Sequence, residues 1–239
     1  MKALLDQCCP ELLDPLARNL AEQVRWLALP GLGTTDPFPV AVLGSGSPVL
    51  CLHGFDSSFL EFRRLAPLLD QHVRLIIPDL FGFGFSPRPE MVGYGPESVM
   101  RHLDVLLDHG PFADQSITDQ SITVIGASMG GAVAVELARR HPERIGSLLL
   151  LAPAGLTGRP GFEGVVNGEG HSSIRARWIA SPKTCFVQIG DVFDRSDHGE
   201  VAAEILRQLI IDAPDRVFTL VGNHEQFMLE DEFESWQMN

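Results

Sequence analysis

A β-branched run, Ile122-Thr123-Val124-Ile125, gives way a few positions later to Ala132–Arg140, where most residues are good helix formers. Continuous apolar character predicts a strand buried on both faces, and the segment after it predicts a helix. The same change of period recurs along the chain. Leu4, Leu5, Leu12, Leu13, Leu16, Leu20 and Val24 fall at helix-like intervals broken by Pro10 and Pro15, so Lys2–Val24 predicts two short helices on the outside of the domain. Arg25–Leu29 and Phe38–Leu43 predict paired edge strands, Val49–His53 a third strand, Leu60–Asp70 a helix and Val73–Pro78 a fourth strand. Pro96–His109 reads as a helix and Ile145–Ala152 as a strand. Thr184–Gly190 and Arg216–Val221 close the series, with the helix-like V-A-A-E-I-L-R-Q-L-I between them. Alternating strands and helices predict one α/β domain over residues 1–239: a mostly parallel sheet, its first two strands antiparallel at one edge, with helices on both faces.

The central strand and helix are joined by Gly126-Ala127-Ser128-Met129-Gly130. A sharp strand-to-helix turn strains its middle residue, and only small neighbours at 126 and 130 let backbone and helix pass so close. The Ser128 hydroxyl is then held at the end of the sheet, free for nucleophilic attack. The Met129 N–H and the positive end of the helix dipole face any oxyanion that forms. Two further stretches precede it: His53-Gly54-Phe55 after the third strand and P-D-L-x-G-x-G-x-S from Pro78 to Ser86 after the fourth. The three together, in this order, resemble the α/β-hydrolase superfamily over roughly Val24–Leu156.

The resemblance implies that a backbone N–H near Phe55 is the second oxyanion donor beside Met129. It also implies that Asp79 supports loops at the mouth of the site, while His53 is read as a structural histidine under its loop. A small, open acyl pocket lined by Phe55, Met129 and nearby aliphatic residues is expected to favour short acyl chains. Where many members of the family insert a helical cap, this chain has only the Gly- and Ser-rich Thr157–Pro182, so the cap is expected to be short or absent. Asp114–Thr118, D-Q-S-I-T, is repeated at once as Asp119–Thr123 and is expected to lengthen the loop before the central strand.

From about residue 159 the pattern changes. Gly190-Asp191-Val192-Phe193-Asp194-Arg195 and Gly222-Asn223-His224-Glu225 each follow a predicted strand, and together they resemble the middle of a calcineurin-like metallophosphoesterase. That resemblance implies Asp191 and Asn223 as metal ligands, with Asp194 and His224 at the same site. Such donors at adjacent strand ends can hold two divalent cations. However, no D-x-H motif sits on a strand ahead of them, and no histidine follows His224. The same residues fit the order of the α/β-hydrolase triad: Ser128, then Asp194 after one late strand, then His224 after the next, with Asp191 and Asp197 as alternative acids. The chain therefore reads as a chimera in which a phosphoesterase-like segment, 159–239, completes the sheet of a hydrolase-derived core, 1–158. Its expected activity is hydrolysis of small carboxylic esters through Ser128, Asp194 and His224, with no cofactor. The rival readings are a metal-dependent phosphoesterase and a non-catalytic remnant.

With 45% hydrophobic residues in 239, the chain can build one sizeable core. A net charge of -13 argues against nucleic-acid or anionic-membrane partners and leaves homo-oligomerisation open. The acidic, Pro-containing start M-K-A-L-L-D-Q-C-C-P-E-L-L-D lacks the apolar stretch of a signal peptide, so a cytoplasmic location is expected. Cys8, Cys9, Cys51 and Cys185 show neither disulfide nor zinc spacing and are expected as reduced thiols. His72, His102, His109, His141, His171 and His198 precede the last strand in predicted helices or loops and are expected at the solvated surface.

Overall fold

The computed structural model of the chain describes residues 1–113, 121–151, 153, 186–189, 207, 210, 211, 214, 215 and 217–220. They form one eight-stranded sheet in the order β1-β2-β4-β3-β5-β6-β7-β8. The strands are β1 Val24–Leu27, β2 Phe38–Leu43, β3 Pro48–Leu52, β4 Arg74–Pro78, β5 Ile122–Ala127, β6 Ile145–Leu151, β7 Phe186–Ile189 and β8 Val217–Leu220. Strands β1 and β2 are antiparallel to each other, and β2 to β4. From β4 to β8 every neighbouring pair is parallel. The central register sets Leu52 beside Gly126 and Ala127 beside Leu151, which brings the ends of β3, β5 and β6 to one edge.

Both faces of the sheet are covered, which is why the inner strands are apolar at every position rather than every second one. On β3, Leu50 and Leu52 join the core beneath α4 (Pro96–His109) and the helix Met129–Arg140, whereas Val49 and Cys51 join the core beneath the N-terminal helices. Strand β4 alternates likewise, with Ile76 on the first side and Leu75 and Ile77 on the second. Leu103, Leu106 and Leu137 are fully buried from the two helices, and each contributes about 2 kcal/mol by leaving water. Helix α4 starts at Pro96, whose fixed φ suits a first turn, and carries Glu97 near its positive end and His109 near its negative end. Burial also drives the Cys51 thiol pKa upward, and Cys8, Cys9 and Cys51 are free thiols. Cys185 lies outside the described residues. No helix among them is long and apolar enough to cross a membrane.

Two expectations are corrected. The single helix expected over Leu60–Asp70 is a 3-10 turn, Phe59–Arg63, followed by the one-turn helix α3, Ala66–Leu69. Pro67 cannot donate to the preceding turn, so the helix breaks and restarts with proline in its first turn. The N-terminal segment forms the two short helices expected of it, α1 (Lys2–Cys8) and α2 (Pro15–Ala21), with a 3-10 turn at Cys9–Glu11 between them and α2 capped by the Asp14 carboxylate on the Leu16 N–H. The second correction is His102. It is fully buried on α4, stacked on Phe38 at 4.8 Å between ring centroids, and neither ring nitrogen has a hydrogen-bond partner among the described residues. His141 is half-buried with Nε2 2.8 Å from Asp104, and His72 and His109 are exposed. His171 and His198 lie outside the described residues, as do the segment 157–182 and most of the D-Q-S-I-T duplication.

Candidate active site

Ser128 stands between β5 and α5, the helix Met129–Arg140, at φ 48° and ψ -116°. A non-glycine residue rarely occupies this region, which costs on the order of 1–3 kcal/mol and persists only where neighbours impose it. The neighbours are visible on every side. The Ser128 N–H donates to the Leu151 carbonyl at 2.9 Å, and its own carbonyl accepts from Gly131 N–H at 2.9 Å. A Cβ on Gly130 would lie 2.0 Å from the Leu52 oxygen, and one on Gly126 would lie 2.4 Å from the Gly130 oxygen. Both positions therefore need glycine because the start of α5 is pressed onto the ends of β3 and β5. Ser128 itself is exposed and Met129 is buried. The first N–H groups of α5 have no partner within the helix, which leaves them available to an anion beside Ser128.

The loop after β3 crosses directly in front of this turn. A Cβ on Gly54 would sit 3.4 Å from that of Ser128, and it is this approach, at an ordinary φ, that calls for a small residue. The Gly54 N–H is taken by the Glu61 carboxylate at 2.7 Å, and Asp56 adopts φ 52°. Phe55, between them, is 73% exposed and meets Phe83 edge-on at 5.5 Å. Glu61 left no mark in the sequence pattern because its contact joins segments that only the fold brings together.

Behind the loop lies a buried polar frame. His53 accepts the Leu80 N–H at Nε2, 2.9 Å, while Nδ1 lies 2.8 Å from the Gly54 carbonyl. Both nitrogens are thus committed, Nδ1 carrying the proton, and burial lowers the imidazole pKa. Asp79 accepts the Phe59 and Phe85 N–H groups, one on each oxygen, both at 2.6 Å, and its carbonyl accepts the Ser86 hydroxyl at 2.8 Å. Burial raises its carboxyl pKa to about 7 against the pull of those two donors. These groups are structural, since each closes a loop rather than facing solvent.

Beside Met129 opens a pocket of about 900 Å³ between α4, α5 and the loop after β4. Phe55, Phe81, Phe83, Tyr94, Met100 and Val133 give it a mostly apolar wall. Phe55 and Met129, expected in the acyl pocket from sequence, both line it.

The proposed acid and base, Asp194 and His224, lie outside the described residues, as do Asp191, Asp197 and Asn223. Strands β7 and β8 are described, and they run parallel to β5 with Ile189 paired to Leu220. The chain therefore leaves both strands at the sheet edge that carries Ser128, five residues before Asp194 and four before His224. Among the described residues no three of His, Cys, Asp and Glu are arranged to hold a metal ion. The D-x-H triplet ahead of this segment, Asp70-Gln71-His72, lies in the turn entering β4, at the opposite end of the sheet.

A strained serine at a strand-to-helix turn, a parallel sheet and a loop closing over the turn define the class. The chain belongs to the α/β-hydrolase fold family, whose profile matches residues 47–169. A second profile, calcineurin-like phosphoesterase, matches residues 171–238, so the boundary between two ancestries falls after β6. The chain is 34% identical over 118 residues to 2-hydroxy-6-oxo-2,4-heptadienoate hydrolase of Pseudomonas putida, covering 48% of this chain and 40% of that protein. It is 39% identical over 111 residues to Lipase 1 of Psychrobacter immobilis, covering 46% and 33%. The matched stretch thus spans well under half of these relatives. Among solved structures, a putative lipase from Acinetobacter baumannii superposes with a TM-score of 0.60 at 16% identity, over 98% of this chain and 96% of that one. A meta-cleavage product hydrolase from Pseudomonas fluorescens gives 0.57 at 19%, over 90% and 96%. These likenesses show the fold.

Proposed function

We propose that the protein is a serine hydrolase of carboxylic esters. The observation that carries this reading is the exposed Ser128 held at φ 48° at the start of a helix, a costly conformation whose product is a hydroxyl clear of its own backbone. Ser128 Oγ attacks the ester carbonyl carbon while His224 takes its proton and Asp194 orients the imidazole. The carbonyl oxygen becomes an oxyanion received by the Phe55 and Met129 N–H groups. The C–O bond then breaks, His224 returns the proton to the departing alkoxide, and water repeats the sequence on the acyl-enzyme. The apolar pocket of about 900 Å³ favours acyl groups larger than the short chains expected from sequence, aromatic ones included.

The test is a series of p-nitrophenyl esters of increasing acyl size. Turnover that survives EDTA and disappears in Ser128→Ala supports the reading. Metal-dependent turnover of p-nitrophenyl phosphate supports a phosphoesterase instead. Failure of both substrates together with no labelling by a fluorophosphonate supports a non-catalytic remnant.

A further inference from the structure

A second cavity, of about 820 Å³, lies at the other end of the sheet, where β3 and β4 begin and β2 ends. Strand rise places it roughly 20 Å from Ser128. Three arginines line it: Arg25 of β1, Arg63 of the 3-10 turn and Arg74 at the start of β4. Asp70 is the one carboxylate among the lining residues. Asp70 and Asp14, the latter ion-paired with Arg63, offset part of this charge, yet the three arginines still outnumber the carboxylates in a chain with 31 acidic and 18 basic residues.

The cationic wall is partly preorganised. Arg63 donates from Nε to the Asp14 carboxylate at 2.7 Å and from a terminal nitrogen to the Leu60 carbonyl at 3.3 Å, which fixes the guanidinium plane. Arg25 has no acidic partner among the described residues. The rim is fixed too: at Gly44, φ +75°, a Cβ would lie 2.2 Å from the Val73 carbonyl oxygen, so the turn after β2 is seated on the chain entering β4. Asn19, Gln23 and Ser45 add neutral polar groups, while Leu16, Leu20 and Val42 supply an apolar floor.

We infer that this cavity binds an organic phosphate: a phosphoryl dianion on the guanidinium groups and an apolar or ring-bearing body on the leucines. Several guanidinium groups lining one cavity suit a dianion with three oxygens better than a single carboxylate. The volume matches a small-molecule site rather than a bare ion.

Isothermal titration of the full chain with phenylphosphonate, which has no hydrolysable ester bond, tests the assignment against inorganic phosphate and benzyl alcohol. Phenylphosphonate is expected to bind more tightly than either. Arg25→Gln and Arg74→Gln should each weaken it about tenfold or more, the loss of a hydrogen bond to a charged group, and Ser128→Ala should leave it unchanged. Amide chemical shifts of the wild-type protein give a readout that needs no variant, with changes expected at Arg25 and Gly44–Ser47. No binding at millimolar phenylphosphonate, wild-type affinity in both arginine variants, or shifts confined to Phe55, Ser128 and Met129 would each overturn the inference.

Discussion

Replacing His102 with Phe should stabilise the protein, and more so in acid. In the folded chain the imidazole is completely buried against Phe38 and Phe81 with neither nitrogen hydrogen-bonded among the described residues. At neutral pH the ring carries one N–H and one lone pair that water satisfies in the unfolded chain and no described residue satisfies in the fold. Leaving such groups buried costs about 1–3 kcal/mol, and fitting a slightly larger ring costs about 1 kcal/mol. The net gain at pH 7.5 is therefore up to about 2 kcal/mol, or up to about 8 °C in melting temperature for a chain of this size.

The pH dependence adds an independent check. Burial drives the His102 pKa from 6.5 down to about 3. Below pH 6.5 the unfolded chain takes a proton that the folded one refuses until about pH 3, so stability falls as pH falls through that window. Each unit contributes about 1.4 kcal/mol, and the variant escapes it. Urea denaturation followed by circular dichroism should show His102→Phe ahead of wild type by about 2 kcal/mol more at pH 5 than at pH 7.5. A margin that does not widen on acidification, or a variant less stable at both pH values, would refute the account of an unpaired neutral ring.

Asp79→Asn should cost about 2–4 kcal/mol by urea denaturation, because an amide can accept from Phe59 or Phe85 but not from both. Asp79 titrates opposite to His102: with its pKa raised to about 7, the folded chain keeps a proton the unfolded one has lost above about pH 4. Its contribution to stability thus declines as pH rises towards 7 and is level above, a slope the Asn variant should lack. Gly130→Ala, with its Cβ 2.0 Å from the Leu52 oxygen, should cost more than about 3 kcal/mol or abolish soluble expression. Gly93→Ala, with nothing within 4 Å, should change stability by less than about 0.5 kcal/mol. Ser128→Gly should raise the melting midpoint by about 1 kcal/mol equivalent while Ser128→Ala leaves it unchanged, because only glycine relieves the strain at φ 48°.

The sheet was legible wherever one segment carries its own signal. The run Ile122–Ile125, the glycines at 126 and 130 and the alternation of strand and helix periods are local, and the elbow they predict is the one the chain forms. His102 was misjudged although a signal existed: it lies three residues beyond Val99 and one before Leu103, on the stripe α4 turns toward the core. Polarity outweighed position in that reading, and burial reversed it. Pro67 likewise announced the break that splits the helix expected over Leu60–Asp70. Glu61 on Gly54, the aromatic wall of the pocket and the arginines of the second cavity were beyond sequence reading, because each is assembled from segments tens of residues apart.

A parallel β-α-β unit offers the same ladder of N–H and C=O groups whatever its ancestry, which explains how strands from a phosphoesterase-like segment can extend a hydrolase sheet. Among the described residues β5 and β6 share six paired positions, β7 and β8 share four, and β6 and β7 share one, Leu150 with Gln188. Completing a sheet requires only backbone, and the parallel direction of β7 and β8 suffices to return the chain to the edge that carries Ser128. Acyl transfer demands more, since a base must come within hydrogen-bond reach of the nucleophile and be held there by its neighbours. On the proposed mechanism, fold and activity rest on different parts of the C-terminal segment: the sheet on β7 and β8, the chemistry on the few residues that follow them. A substitution at Asp194 or His224 should therefore abolish ester turnover while leaving the urea midpoint of the sheet where it was.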